Sequence, residues 1–141
     1  MLVRNCAGGV VFHGDSVLIL RNDKAEWVLP KGVIRPGSVS QETALFRVKH
    51  EAGVEAEITD IVGQTNYEFF SQSRQRPVNN RIVWYLMETD SGQVTSNKDE
   101  GFDSGDFYPI EEAIELITYS QDKSLVSLAY KARQELKALK G

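Results

Sequence analysis

The stretch that most restricts this chain runs from Trp27 to Val54. Trp27-Val28-Leu29 has the β-branched and aromatic character of a short strand, and Pro30-Lys31-Gly32-Val33-Ile34-Arg35-Pro36-Gly37 follows it directly. Two prolines and two glycines in those eight residues point to a shaped loop, neither helix nor strand. A helix should come next. Ser38 with Gln41 three places on fits a capping box, and Gly53 supplies a C-terminal stop. Between them Ala44, Leu45, Val48 and Ala52 fall on one face at helical spacing.

Strand signals surround this unit. Val10-Val11-Phe12 and Val17 to Leu20 flank the turn His13-Gly14-Asp15, so the first 22 residues read as a hairpin. Gly8-Gly9 within its first strand implies a bulge or a close backbone approach, and His13 reads as a solvated turn residue. Val54 to about Phe70 and Arg81 to Met87 are strand-like, and the polar, basic segment Ser71 to Asn80 is expected to be an exposed hairpin loop. Asp90 to Gly105, rich in Gly, Ser, Asp and Asn, is read mostly as a long surface loop, the kind that often carries function. Phe107-Tyr108 should close the sheet before Pro109 opens a short helix, Ile110 to Ile117. From Ser120 onward Leu125, Leu128, Ala129, Ala132, Leu136 and Leu139 form the apolar stripe of an amphipathic helix whose Lys and Arg residues face water. Trp27 and Trp84 are expected in the core. The expectation is one α/β domain over residues 1–141.

Charge and cysteine content narrow the function. Sixteen Lys plus Arg against twenty Asp plus Glu give a net charge of −4. A mildly acidic surface disfavours a general binder of nucleic-acid duplexes or anionic membranes. The single cysteine, Cys6, excludes an internal disulfide framework and a multi-cysteine zinc site, and its apolar surroundings suggest a buried, inert thiol. There is no run of about 18 apolar residues to span a bilayer and no signal-peptide pattern at Met1-Leu2-Val3-Arg4-Asn5, so a cytoplasmic location is expected. A homodimer is the default only from the general frequency of such assemblies.

The shaped loop feeding a helix that ends Glu51-Ala52-Gly53-Val54 resembles the Nudix box. Gly32, Val48, Glu51, Gly53 and Val54 match its pattern, whereas Ser38, Phe46, Arg47 and His50 stand where the family has Glu, Arg, Glu and Glu. Gly8-Gly9-Val10-Val11 with its hairpin, then Trp27 to Gly32, are similar to the family's opening strands. Arg81 to Leu86 and Phe107 to Ala113 resemble later elements of its diadenosine tetraphosphate hydrolase branch. The resemblance covers nearly the whole chain. It implies an α/β/α sandwich around a mixed sheet, with the box helix on one side and the C-terminal helix on the other.

Members of that family hydrolyse nucleoside diphosphate linkages with divalent cations, which neutralise phosphate charge and activate water. Magnesium prefers carboxylate oxygens, and helix positions 47, 50 and 51 lie on one face. Three glutamates there would carry −3. Arg47, a neutral His50 and Glu51 sum to zero, and arginine stays protonated. A one-residue slip of the box does not rescue it, because Val48, Glu51 and Gly53 keep register and a slip would turn the helix face by about 100°. Phe46 in place of the box arginine suggests repacking with apolar surface.

The adopted reading is a protein that binds a nucleoside di- or polyphosphate-type small molecule but hydrolyses it weakly or not at all by the metal route. Lys31, Arg21, Arg47 and Arg81 are candidates for phosphate contact, with arginine suited to bidentate geometry, and Tyr67 and Tyr85 for stacking on a base. A second reading keeps an active pyrophosphohydrolase using Mg2+ or Mn2+, with Glu51 and Glu100 catalytic and Glu51 and Asp103 as metal ligands, drawn from the acidic loop that also contains Asp99. Glu42, Glu55 and Glu57 flank the helix as further acids, and His50 next to Glu51 could join a softer manganese or zinc site. A third is a regulatory or interaction module without catalysis.

Overall fold

Val10, Val11 and Phe12 are apolar on both sides of one strand, which demands cover on both faces of its sheet. The computed structural model, which describes residues 1–140, supplies that cover. Seven strands form one mixed sheet: β1 (Leu2–His13), β2 (Ser16–Asn22), β3 (Trp27–Val28), β4 (Lys31–Val33), β5 (Glu57–Ser71), β6 (Arg76–Glu88) and β7 (Phe102–Pro109). Helix α1 (Ser40–Ala52) packs on one face, where Ala44, Val48 and Ala52 meet Ala7, Val11, Leu18, Leu20 and Met87. Helices α2 (Ile110–Leu116) and α3 (Ser120–Lys140) cover the other, where Ile110, Ala113, Leu125, Val126 and Ala129 meet Val10, Phe12, Ile19 and Trp84. This is the expected α/β/α arrangement.

The central strand order is β3-β2-β1-β6-β5, with β4 also on β1 and β7 also on β2. The β1–β2 hairpin forms as expected, but its ladder is brief, Phe12↔Val17 and His13↔Ser16. The main partner of β1 is β6, parallel from Leu2↔Val78 to Phe12↔Glu88. Gly8 and Gly9 sit in that unbroken register opposite Trp84 and Tyr85, so the close approach, not the bulge, explains them. A Cβ on Gly8 would lie 2.6 Å from both the Pro30 carbonyl oxygen and the Trp84 ring.

Several boundaries differ from the sequence reading. The Pro/Gly segment contains strand β4, because Lys31 to Val33 pair with Gly8, Ala7 and Cys6 of β1. Helix α1 is capped at Val39 without a side-chain bond, so Ser38 and Gln41 make no capping box; Gly53 ends it as expected, at φ 68° in the left-handed region. The expected loop from Ser71 to Asn80 is mostly strand. β5 and β6 pair from Glu57↔Glu88 to Ser71↔Arg76, so only 72–75 turn. The expected loop from Asp90 to Gly105 ends early as well, with a 3-10 turn at Lys98–Glu100 and β7 from Phe102.

On α3 the inner stripe is Leu125, Val126, Ala129 and Arg133, while Leu128 and Leu139 are exposed. Arg133 therefore does not belong to a solvated face. Trp84 is core as expected, whereas Trp27 is half-buried, edge-on to Tyr108. Cys6 is buried, and burial pushes its thiol pKa up, consistent with an inert thiol. No helix among the described residues is long and apolar enough to cross a membrane.

Candidate functional site

Glu51 follows Val48 by three positions and Ala44 by seven, so helical spacing puts its carboxylate on the buried side of α1. It is 2% exposed. A carboxylate removed from water needs a partner, and the side chain one turn earlier provides it. Arg47 donates from Nε at 2.8 Å and from Nη2 at 2.5 Å, both to Glu51 Oε2. Burial pushes the Glu51 carboxyl above its ordinary range, against the downward pull of the Arg47 hydrogen bonds and charge.

The path of Arg47 to Glu51 depends on Gly32. That residue pairs with Ala7 and faces α1, and a Cβ there would lie 2.6 Å from Arg47 Cδ and Nε. The arginine stem thus lies across bare β4 backbone. The shaped loop and the helix, adjacent in sequence, fit each other through this one glycine.

The 3-10 turn brings a second carboxylate to the same corner. Asn97 caps the turn by accepting from the Asp99 backbone N–H and donates to the His50 carbonyl, which ties it to the end of α1. Glu100 then lies with Oε1 2.7 Å from His50 Nε2 and Oε2 3.5 Å from Arg47 Nη2. The His50 hydrogen bond holds the Glu100 carboxyl below its ordinary range. Phe46 is 56% exposed and stacks on the His50 ring, so it lies outside the apolar core and does not repack the site.

Glu51 and Glu100 border a cleft of about 590 Å³, a size suited to a nucleotide-scale ligand. Its walls come from the β2–β3 turn (Asn22 to Glu26), Lys31, the face of β5 around Thr65 and Tyr67, and the start of α3 at Tyr119 to Asp122. Tyr67 and Tyr119 meet edge-on at 5.9 Å between ring centres. Tyr119 donates its hydroxyl proton to Glu26, which lowers the Glu26 pKa and raises that of the phenol. Thr118 fixes this wall: its hydroxyl accepts from the Trp27 N–H at 2.8 Å and its own N–H donates to the Trp27 carbonyl at 3.1 Å. Burial raises the Asp122 pKa, with Lys31 opposing.

The structure gathers some of the residues singled out in the sequence and separates others. Lys31, Glu51, Glu100 and Tyr67 share the cleft, and Arg47 lies at its border. Asp103 does not join them; it sits on β7 with Arg21 Nε 3.9 Å away, both outside the cleft lining. Arg81 is exposed on β6 opposite Asn66, also outside it. Tyr85 is buried beneath α1 with its hydroxyl 2.5 Å from Ser40 Oγ, because odd positions of β6 face α1 and the cleft lies on the even face with Ile82. Glu26, Tyr119 and Asp122 escaped the sequence reading. Their only signal was a helix start and a turn far apart in the chain.

The corner offers little to a divalent ion. Among the described residues no group of three or more His, Cys, Asp or Glu side chains is placed to hold one. The most buried acid already accepts two hydrogen bonds from a guanidinium, and Glu100 is shared between His50 and that same arginine. These residues do not fit a hard cation that needs several free carboxylate oxygens.

A family model described as NUDIX domain matches residues 2–128. The chain is 28% identical over 134 residues to the "Putative mutator protein MutT4" of Mycobacterium tuberculosis, covering 87% of this chain and 53% of that protein. It is 28% identical over 98 residues to the mouse bis(5'-nucleosyl)-tetraphosphatase [asymmetrical], covering 70% of this chain and 65% of that enzyme. The chain thus spans about half to two-thirds of the length of these two relatives. In structure it resembles the C. elegans Ap4A hydrolase binary complex, with a TM-score of 0.70 at 18% identity, covering 94% of this chain and 98% of that one. That likeness concerns the fold.

Proposed function

The chain belongs to the NUDIX domain family, and from that premise we propose that it binds a nucleoside di- or polyphosphate-type ligand in the cleft while conventional metal-dependent hydrolysis is weak or lost. One observation carries this reading: the Arg47 guanidinium holds the buried Glu51 carboxylate through two hydrogen bonds to its Oε2. The family implies a divalent ion, and the side chains present do not fit one, so no step is assigned to a metal here.

Each part of the cleft has a different task. Lys31, whose ammonium has no hydrogen-bond or ion-pair partner among the described residues, and Arg47 are the cations at the Glu51 end, and phosphate oxygens belong there. The opposite wall is acidic, with Glu26 and Asp122, so it suits the uncharged, donor-bearing part of a nucleotide. Tyr67 and Tyr119 offer ring faces and edges for a base. Arg21, Arg81 and Tyr85, which do not line that cleft, are given no role in this reading.

The test is turnover by the purified protein with magnesium or manganese, over a panel of dinucleoside polyphosphates, nucleoside triphosphates and nucleotide sugars, alongside calorimetric binding of the same compounds. The expected result is binding of at least one compound with hydrolysis no faster than in Glu51→Gln. Robust turnover that Glu51→Gln abolishes would overturn the reading.

A further inference from the structure

We infer that ligand binding at this corner is independent of divalent cations, because Arg47 is itself the resident cation that meets the anion. The inference rests on the nucleotide-type reading above and specifies how the charge is met. It follows from counting donors. Arginine has five N–H groups. Nε and Nη2 use three of them on Glu51 and Glu100, and the two on Nη1 have no protein acceptor among the described residues. The Arg47 side chain is partly open to solvent, at 21% exposure, while that of its Glu51 partner is at 3%.

The contacts differ in strength, and this decides what can move. Two short bonds to a buried carboxylate anchor the guanidinium. The 3.5 Å contact to Glu100 is at the limit of a hydrogen bond, and Glu100 keeps its 2.7 Å contact to His50 if Arg47 lets go. An arriving phosphate can therefore take the Nη1 donors and the released Nη2 donor as a planar fork without uncovering Glu51. Lys31, which lines the cleft and whose charge acts on Glu51, supplies a second positive charge. A divalent ion would have to displace Arg47 from Glu51 or sit beside its charge, and either is unfavourable in a partly desolvated corner.

The experiment is calorimetry with inorganic pyrophosphate and with ADP on protein stripped with EDTA, repeated with excess magnesium. Dissociation constants should agree within roughly twofold between the two conditions. Arg47→Gln should weaken both ligands by about tenfold or more, the loss expected for charge-assisted hydrogen bonds. Lys31→Gln, at an exposed and unpartnered position, should weaken them without affecting folding, which guards against instability of the Arg47 variant. Arg47→Glu combined with His50→Glu should convert binding to a magnesium-dependent form. Binding that requires magnesium in the wild type, or that is unchanged in both Arg47→Gln and Lys31→Gln, would overturn the inference and leave the nucleotide reading standing. Absence of binding by every compound in either condition would overturn both.

Discussion

Two arginines in this molecule hold pairs of carboxylates, and they do so in opposite ways. Arg133 of α3 is buried, donates to Glu88 from Nε at 2.6 Å and from Nη2 at 3.1 Å, and reaches Asp15 from Nη1 at 3.0 Å. Its guanidinium also lies 4.8 Å over the Phe12 ring. All three nitrogens are engaged, and the acids, at 34% and 71% exposure, keep access to water. At Arg47 the relation is reversed: the acid is buried and the arginine is at the border, with Nη1 unengaged among the described residues. A cation enclosed by its partners is a staple between α3, β6 and the β1–β2 turn. A cation that covers a buried acid and still presents donors beside a cleft is equipped to meet a ligand.

Removing each arginine should separate the two roles. Arg133→Ala takes away a buried stem packed against Phe12 together with three charge-assisted hydrogen bonds to acids that themselves reach water, and should cost about 3–5 kcal/mol in denaturant unfolding. Ligand affinity should be unaffected in the folded fraction. Arg47→Met should cost less, roughly 2–3 kcal/mol at neutral pH, because the stranded Glu51 can relieve itself by taking up a proton. The pH dependence tells the two apart. The Glu51 pKa already lies above its ordinary value, and without Arg47 it rises further. A carboxyl raised on folding stabilises below its unfolded pKa and loses that contribution as pH rises through the folded value, so the Arg47→Met deficit should shrink from neutral pH toward about 5. A deficit that stays constant over that range would mean that Glu51 finds another partner.

That Arg47 and Glu51 share one helix face was legible in the sequence because it is local. Residues four apart on a helix are neighbours whatever the rest of the chain does. The same holds for Gly53 as a helix stop and for the turn at Gly14-Asp15, but not for His13, expected as a solvated turn residue, which ends β1 half-buried with Nδ1 3.2 Å from the Thr89 carbonyl oxygen. Features that depend on distant partners were not legible. Strand β4 is three residues of a Pro/Gly segment held extended by pairing with β1, and the Ile34 N–H bond to the Asn5 carbonyl continues that contact. Asn79 and Asn80 look like loop residues until β1 and β5 pair with them. Arg133 looks like a solvated residue until Asp15, 118 positions away, closes over it. In the cleft, Glu26 and Tyr119 are 93 positions apart, and nothing in either segment announces the other.

Gly32→Ala sharpens the comparison without deleting a charge. Its new Cβ would displace the Arg47 stem from β4, so the Glu51 bonds lengthen while both ions remain. A cost of about 1–2 kcal/mol is expected, below that of Arg47→Met, since a flexible side chain can find a second path. Pyrophosphate affinity should fall along with it. If stability drops and affinity does not, Arg47 covers Glu51 but plays no part in meeting the anion.

The smallest effect is expected on the opposite wall, where the carboxylate of Glu26 is met by a neutral hydroxyl. Tyr119→Phe removes that donor but leaves the Asn22 amide bond at 2.9 Å, so a loss near 1 kcal/mol is expected. The Tyr119 pKa is raised by its bond to Glu26, and a group raised on folding gives its stability below the unfolded pKa and loses it as pH climbs through the folded one. The gap between wild type and Tyr119→Phe should therefore hold from neutral pH up to about 10 and close only in stronger alkali. Thermal melts of both proteins along that series, with the phenolate absorbance of Tyr119 obtained by difference, measure it directly. A gap that closes already near pH 10, with Tyr119 ionising like a free tyrosine, would mean that the hydroxyl does not hold Glu26, and this wall would then offer a ligand an uncommitted carboxylate instead of a satisfied one.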